Sequence, residues 1–363
     1  MRILHVITSL RTGGAEKLML DLLPKIKEKG CEIELLVFDG SPTPFLKEME
    51  SLDIVIHKLH DKGGMYSFSN IFAFCEYVNH YDIIHTHNTP AQFFVAISHT
   101  LFRSKSILVT TEHNTSNRRR GKWWWYLLDQ WMYRKYSTII CISAKAEENL
   151  RNYLNDNSSK IVTIFNGIDL KRFLSCERKI SNDRDPKKVV ISMVAAFREQ
   201  KDQKTLIRAA AKLPSHYIVQ LVGTGEQKLI DECKALVNAL GLSERVLFLG
   251  MRNDVERILF MSDIIVLSSH YEGLSLSSLE GMASGKPFVS SDVDGLHEIV
   301  SGYGLLFPHE DYETLSKELL RLGEDEDYSR RVAKRCVERA KQFDINEMSD
   351  KYMSIYKVLF SNH

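Results

Sequence analysis

Two glutamates stand eight positions apart in the stretch HYEGLSLSSLEGMASGKP, Glu272 and Glu280. Glu272 follows the apolar run DIIVLSS, which reads as a strand, so it falls in the loop at that strand's C-terminal end, where open parallel sheets bind ligands. Gly273 permits close backbone approach, and Ser275 is placed to cap the helix that follows. The N–H groups of Leu274, Ser275 and Leu276 would then form the start of a helix, which carries about half a positive charge and free donors and suits a phosphate. Glu280 lies about one turn further in, where a carboxylate can accept two hydrogen bonds from a sugar diol. Glu272 would meet a group just ahead of the phosphate. The chemistry implied is the handling of a nucleotide or a phosphorylated sugar.

Other polar residues cluster at strand ends. ITSLRTGGAEKLML puts Gly13 and Gly14 at the head of a helix, with Glu16 in its first turn, where a carboxylate complements the dipole. Asp39 ends the second strand, as a ribose-binding acid would, but the G-x-G-x-x-G fingerprint is missing, which argues against nicotinamide binding. His85 and His87 end one strand and His113 another. His85 reads as a structural strand-end histidine. Asp292 and Asp294 form a lone D-x-D, read as loop chemistry and not as a metal site. In NRRRGKWWWYLLDQWMYRKY (117–136), Arg118, Arg119, Arg120 and Lys122 precede Trp123, Trp124 and Trp125. Basic residues beside tryptophan are what an interfacial helix presents to anionic lipid. Three adjacent tryptophans cannot all face one side of a helix, so at least one is expected to be exposed.

The elements that must position these groups alternate between short Ile/Val-rich strands and longer helical patterns. This points to α/β architecture, with parallel sheets covered on both faces. Seven strands are expected before residue 168 and five between 188 and 292, with a helical C-terminal third over about 311–342 and 346–360. The domains expected are 1–170, a linker at 171–187, a second doubly wound domain at 188–344, and a C-terminal helix, 345–363, returning to the first domain. The chain has 363 residues, 44% apolar and 26% charged, which fits two globular domains. A formal net charge of +1 gives no field for nucleic acid, which is not expected as a partner. The six cysteines show no C-x-x-C spacing, so no zinc or redox site is suggested and a reducing compartment fits. No run is long enough to span a bilayer, and MRILHVITSL reads as a strand and not a leader. The expected location is cytoplasmic, peripheral on the inner face of the membrane.

E-x7-E followed by G-x-A-x-G-x-P resembles the signature of GT-B glycosyltransferases of the retaining family 4 type. So do GGAE (13–16), TEH (111–113), FNGID (165–169), REQKDQKTLIRA (198–209), LVGTGE (221–226) and SDVDGLHEIV (291–300), in that order along nearly the whole chain. The resemblance implies two Rossmann-like domains facing a central cleft, and a hexosyltransferase that moves sugar from a nucleotide diphosphate, UDP- or GDP-linked, to a saccharide or lipid-linked acceptor. It implies no cofactor and no metal. By it Glu280 grips the ribose, Glu272 contacts the donor sugar, residues near Ser275 hold the diphosphate and Lys201 neutralises the leaving group. Gly14, Gly223, Gly225, Glu226 and Arg252 line the donor, His113 lies by the reacting carbon, and Gly13, Glu16 and Asn166 face the acceptor. The family arginine is absent: Ala195–Ala196 occupy its place, and Arg198 stands two residues late. The alternatives are an epimerase of the same fold and a non-enzymatic nucleotide-sugar sensor.

Overall fold

The computed structural model of the protein describes residues 1–11, 13–113, 123–176, 185 and 187–363. The chain forms two compact units, Met1–Gly167 with Ile345–His363, and Ile168–Asp344.

The first unit holds β1 (Arg2–Ser9), β2 (Glu32–Asp39), β3 (Val55–His60), β4 (Ile83–Thr86), β5 (Ile107–Glu112), β6 (Thr138–Cys141) and β7 (Ile161–Thr163). They form one parallel sheet in the order β3-β2-β1-β4-β5-β6-β7. All residues of β4, β5 and β6 are buried, because helices cover both faces of the sheet. One core runs from Leu4, Leu36 and Phe38 to Met132, Ile139 and Leu150. The second unit holds β8 (Val189–Val194), β9 (Tyr217–Val222), β10 (Val246–Gly250), β11 (Ile264–Leu267), β12 (Phe288–Asp292) and β13 (Leu305–Pro308). Its order is β10-β9-β8-β11-β12-β13, again parallel. Both units are therefore Rossmann-like and doubly wound, the fold class expected, and in each the strand order reverses at the middle of the sheet: β1/β4 in one, β8/β11 in the other.

Three expectations change. The second sheet gains a sixth strand, β13, which the sequence hides because it is a four-residue edge strand with only Phe307 fully buried. The stretch expected as a linker begins as a helix, Leu170–Cys176, with Phe173 buried and Arg172 paired to Glu256 at 3.4 Å; residues 177–184 and 186 lie outside the described residues. The long helix expected over 311–342 is two, Tyr312–Glu324 and Glu326–Ala340. Asp325 turns extended between them and its carboxylate caps the second by accepting from Tyr328 N at 2.8 Å.

The C-terminal helix Ile345–Ser361 is part of the first unit. It buries Met348, Tyr352, Met353 and Tyr356. The Tyr356 hydroxyl meets His85 Nδ1 at 2.5 Å, Tyr352 meets Thr111 at 3.1 Å, and Lys29 holds Asp350 at 2.6 Å. Tyr356→Phe would leave a fully buried imidazole nitrogen without its partner. It should destabilise the first unit by about 1–3 kcal/mol, read as an earlier urea transition; an unchanged midpoint would show that the bond contributes nothing.

Candidate active site

The chain leaving β8 and the chain leaving β11 meet at the switch point of the second sheet. Asp202 N donates to Ser268 O at 3.0 Å and His270 N to Gln200 O at 2.9 Å, and Lys201 and Ser269 form a short antiparallel bridge. This pairing carries Lys201 Nζ onto the Glu272 carboxylate. The same carboxylate accepts from Ser269 Oγ at 2.7 Å and from Gln200 Nε2 at 3.1 Å. The side chains are only 11% and 6% exposed, so the pair is shielded from solvent and depends on these bonds for its solvation. Two residues that sequence reasoning missed hold it in place. Ser291, on β12, accepts from Ser269 N at 2.9 Å and donates to Ser269 O at 2.8 Å. Gly295 (φ +82°) lies so close to the carbonyls of Glu272 and Gly273 that any Cβ there would collide with them.

The helix Leu276–Ala283 starts directly after this pair. Ser275 occupies the N-cap position, but its hydroxyl makes no capping bond; it meets the Ser277 hydroxyl at 3.0 Å instead. The expected cap is thus corrected: the Ser275 hydroxyl does not serve the helix-start N–H groups, and the positive end of the dipole there favours a negative group. Leu274, Ser275 and Leu276 are buried, while Gly273 and Glu280 are half-buried. Gly281 seats the helix, since a Cβ there would strike the Phe288 ring and Ile265.

The other donor-side residues have structural duties. Cβ atoms on Gly223 or Gly225 would collide with the carbonyls of Ala195 or Phe197, so these glycines let the loop after β9 lie against the loop after β8. Glu226 is exposed at the head of helix Gln227–Ala239, its N–H on Phe197 O at 2.8 Å. Arg252 forks onto Asp254 through two bonds of 2.8 Å. Arg198 is exposed on the loop after β8. Asp292 bonds His297 at 2.6 Å, and Asp294 uses its carbonyl to accept from Glu272 N at 3.2 Å. A pocket of about 210 Å³ beside Lys201 is lined by Glu199, Gln203, Lys204, Leu229 and His270. A second, of about 220 Å³ near Tyr126 and Asn155, contains none of the expected site residues.

In the first unit, Gly13 carries the Glu16 side chain over it, so a Cβ at Gly13 would overlap that carboxylate, whereas the space around Gly14 is open. Glu16 thus occupies the start of helix Gly14–Glu28. Asp39 is fully engaged by Ser41, Gly63 N and Arg11. Burial works against its charge, but these bonds outweigh it and hold the carboxyl below its ordinary range. Asn166 is buried after β7.

The strand-end histidines form one group with His5, which sequence reasoning passed over. His5 and His85 are register partners on β1 and β4. His5 Nδ1 meets His87 Nε2 at 2.8 Å, His87 Nδ1 meets His113 Nε2 at 3.3 Å, and the His85 and His87 rings stack at 4.4 Å. His85 spends both nitrogens on Tyr356 and Thr111 (2.8 Å), so it is a structural anchor. Burial pushes His5 down to about 3 and His113 to about 4, and holds His85 and His87 well below the ordinary range.

The basic part of 117–136 lies outside the described residues. On helix Trp123–Arg134, Asp129, Met132 and Tyr133 face inward, while Trp123 (77% exposed), Trp124, Leu127 and Leu128 lie exposed at i, i+1, i+4 and i+5. Among the described residues no helix is long and apolar enough to cross a membrane.

Two family models match consecutive parts of the chain: Glycosyltransferase Family 4 over residues 12–172 and Glycosyl transferases group 1 over residues 177–343. A relative from Escherichia coli is 26% identical over 98% of this chain and 96% of its own length; it is named UDP-Gal:alpha-D-GlcNAc-diphosphoundecaprenol alpha-1,3-galactosyltransferase. A Campylobacter jejuni relative, named N,N'-diacetylbacillosaminyl-diphospho-undecaprenol alpha-1,3-N-acetylgalactosaminyltransferase, is 30% identical over 61% of each chain. The crystal structure of Anabaena Alr3699/HepE in complex with UDP matches the fold with a TM-score of 0.85 at 20% identity, over 99% of this chain and all (100%) of that one. Sucrose-phosphate synthase from Thermosynechococcus elongatus matches with a TM-score of 0.80 at 18% identity, over 100% of both chains.

Two outcomes follow from the geometry. Lys201→Met and Glu272→Gln should each destabilise the second unit by about 3–5 kcal/mol, because each strands a buried partner, while the double variant should cost less than the sum. Additive losses in a double-mutant cycle would mean that the pair is not coupled. For the histidines, depressed pKa values mean that the folded chain binds fewer protons than the unfolded one between about pH 4 and 6.5. Their stabilisation is complete above pH 6.5 and is lost as pH falls through that window. The slope should approach about 1.4 kcal/mol per pH unit for each ring that stays neutral. Denaturation curves at pH 7, 6 and 5 that coincide would contradict this.

Proposed function

The chain belongs to the group 1 glycosyltransferases, and on that footing we propose that it moves a hexosyl group from a UDP-sugar to a hydroxyl of a saccharide carried on a lipid diphosphate. The observation that carries this is the shielded Lys201–Glu272 pair at the β8/β11 switch point, next to a helix start that the Ser275 hydroxyl does not cap. The E. coli and C. jejuni relatives are both named for transfer to diphosphoundecaprenol-linked sugars, and the first for a UDP-sugar donor, which supports this donor and acceptor class over a GDP-sugar and a free saccharide.

Glycosyl transfer passes through an oxocarbenium-like state in which negative charge leaves with the diphosphate. The demand on the protein is therefore electrostatic. Lys201 supplies a full charge, and the helix start at Ser275–Leu276 supplies oriented N–H donors. Together they meet the leaving group with no metal required, and Arg198 stands where it can add a second cation to the same loop. Glu272, oriented by Ser269 and Gln200, takes hydroxyls of the donor ring, and Glu280 takes the ribose diol. Retention of configuration, with the acceptor hydroxyl attacking on the face the leaving group vacates, fits a site without an evident enzymic nucleophile. The exposed stripe Trp123, Trp124, Leu127, Leu128, next to a basic segment, supports docking on an anionic membrane surface where a lipid-linked acceptor resides.

With a UDP-sugar and a diphosphoundecaprenol-linked acceptor, Lys201→Ala should lower kcat by about 100-fold or more. Glu280→Ala should raise the donor KM by about 10-fold, and activity should survive EDTA. Full turnover in Lys201→Ala would sink the leaving-group role, and loss on EDTA restored by Mn²⁺ would sink metal independence. In vesicle flotation, wild type should rise with anionic liposomes, and a Trp124→Ser, Leu127→Ser, Leu128→Ser variant should not. Wild type staying at the bottom would remove the membrane reading.

A further inference from the structure

His113, His87 and His5 make an unbroken line of imidazoles reaching from the loop after β5 into the middle of the sheet. The mechanism above uses none of them. All three are held neutral by burial, so each ring has one N–H and one lone pair. His87 sits in the middle and bonds a ring at each nitrogen, so it must donate to one and accept from the other. Only two arrangements satisfy both contacts. In one, every proton is on Nε2: His87 donates to His5, and His5 is left with an N–H at Nε2. In the other, every proton is on Nδ1: His5 donates to His87, His87 donates to His113, and His113 is left with an N–H at Nδ1.

The ends of the line decide between them. His5 is 0% exposed and its Nε2 has no partner among the described residues. An orphaned buried N–H costs more than an under-used acceptor. The stacked His85 ring, 4.4 Å from His87, has both its own nitrogens committed and cannot relieve either end. At the other end, His113 Nδ1 is buried as well and also lacks a partner among the described residues. His113 differs from His5 in its place: the residue is half-buried, on the loop at the C-terminal edge of the sheet, whereas His5 is 0% exposed inside it. Of the two ends, this is the one that a ligand oxygen can approach to accept an N–H.

We infer that His5 and His87 are positioning residues that fix the tautomer of His113, so that it presents a neutral Nδ1–H to a substrate oxygen and acts as a hydrogen-bond donor and not as a general base. The inference rests on the glycosyl-transfer reading for the identity of that oxygen, a sugar hydroxyl, but not for the tautomer itself.

The test is long-range ¹H–¹⁵N correlation on the full-length chain labelled in histidine nitrogens, at pH 7.5, with the three rings assigned by His5→Leu, His87→Leu and His113→Gln. All three should read as Nδ1–H, the minor form of free histidine. In His5→Leu, two rings away from any substrate, His113 should relax to a mixture of tautomers, and kcat should fall several-fold with donor KM unchanged. A wild-type His113 protonated on Nε2 would overturn the inference. So would a His113 tautomer indifferent to His5→Leu. Should the variants fail to fold, the three rings are assigned in the wild type by through-bond and through-space correlations, and its tautomer pattern decides, because Nε2–H at any of the three contradicts the arrangement inferred. Sugar transfer measured on the same wild-type sample reports separately on the enzyme reading, so a failure of one is not mistaken for a failure of the other.

Discussion

A lysine and a glutamate shielded from water within one ion pair impose the strictest constraint on the second unit. Such a pair is stable only if the remaining lone pairs and protons are met. Lys201 and Glu272 come from loops after β8 and β11, adjacent strands between which the sheet order reverses. Around them Ser269, Gln200, Ser291 and Gly295 have no other evident task than to seat these two loops on each other. The glycines at 223 and 225 then draw the loop after β9 onto the back of the same structure. On the proposed mechanism, the catalytic demand is charge stabilisation on a leaving diphosphate, and the groups proposed to serve it already meet in a low-dielectric corner, where their field is strongest.

The first unit solves a related problem with neutral groups. Four histidines and two tyrosines occupy the middle of its sheet and the inner face of the C-terminal helix. Desolvation keeps the rings uncharged, so they can be buried where a charge could not. His85 ties the last helix to β4, and the rest of the group ends at His113. One polar array therefore both closes the unit and reaches the C-terminal edge of its sheet.

Much of this was legible in the sequence, and the reason is periodicity. The seven strands of the first sheet and five of the second announce themselves as Ile/Val runs, because parallel strands are buried on both faces. The pair Glu272 and Glu280 was visible from spacing, since one lies at a strand end and the other a turn or two into a helix. What stayed hidden depends on contacts far apart in the chain. The family motif marks both Lys201 and Glu272, but only the fold shows that their side chains pair, 71 residues apart. His5 looks like a strand interruption until His85 lies beside it. β13 was missed because four edge residues carry too little pattern, and Asp325 because a carboxylate inside a polar helix gives no signal that it ends one turn and caps the next.

The central claim is that the Lys201–Glu272 corner is a nucleotide-sugar site. The most direct test is a thermal-shift screen of wild type and Lys201→Met against UDP-, GDP-, ADP- and CMP-sugars, since a ligand that binds only the folded state raises its melting temperature. The account predicts a clear rise with UDP-sugars that is much reduced in Lys201→Met. No rise with any nucleotide sugar, or an equal rise in both proteins, would contradict it.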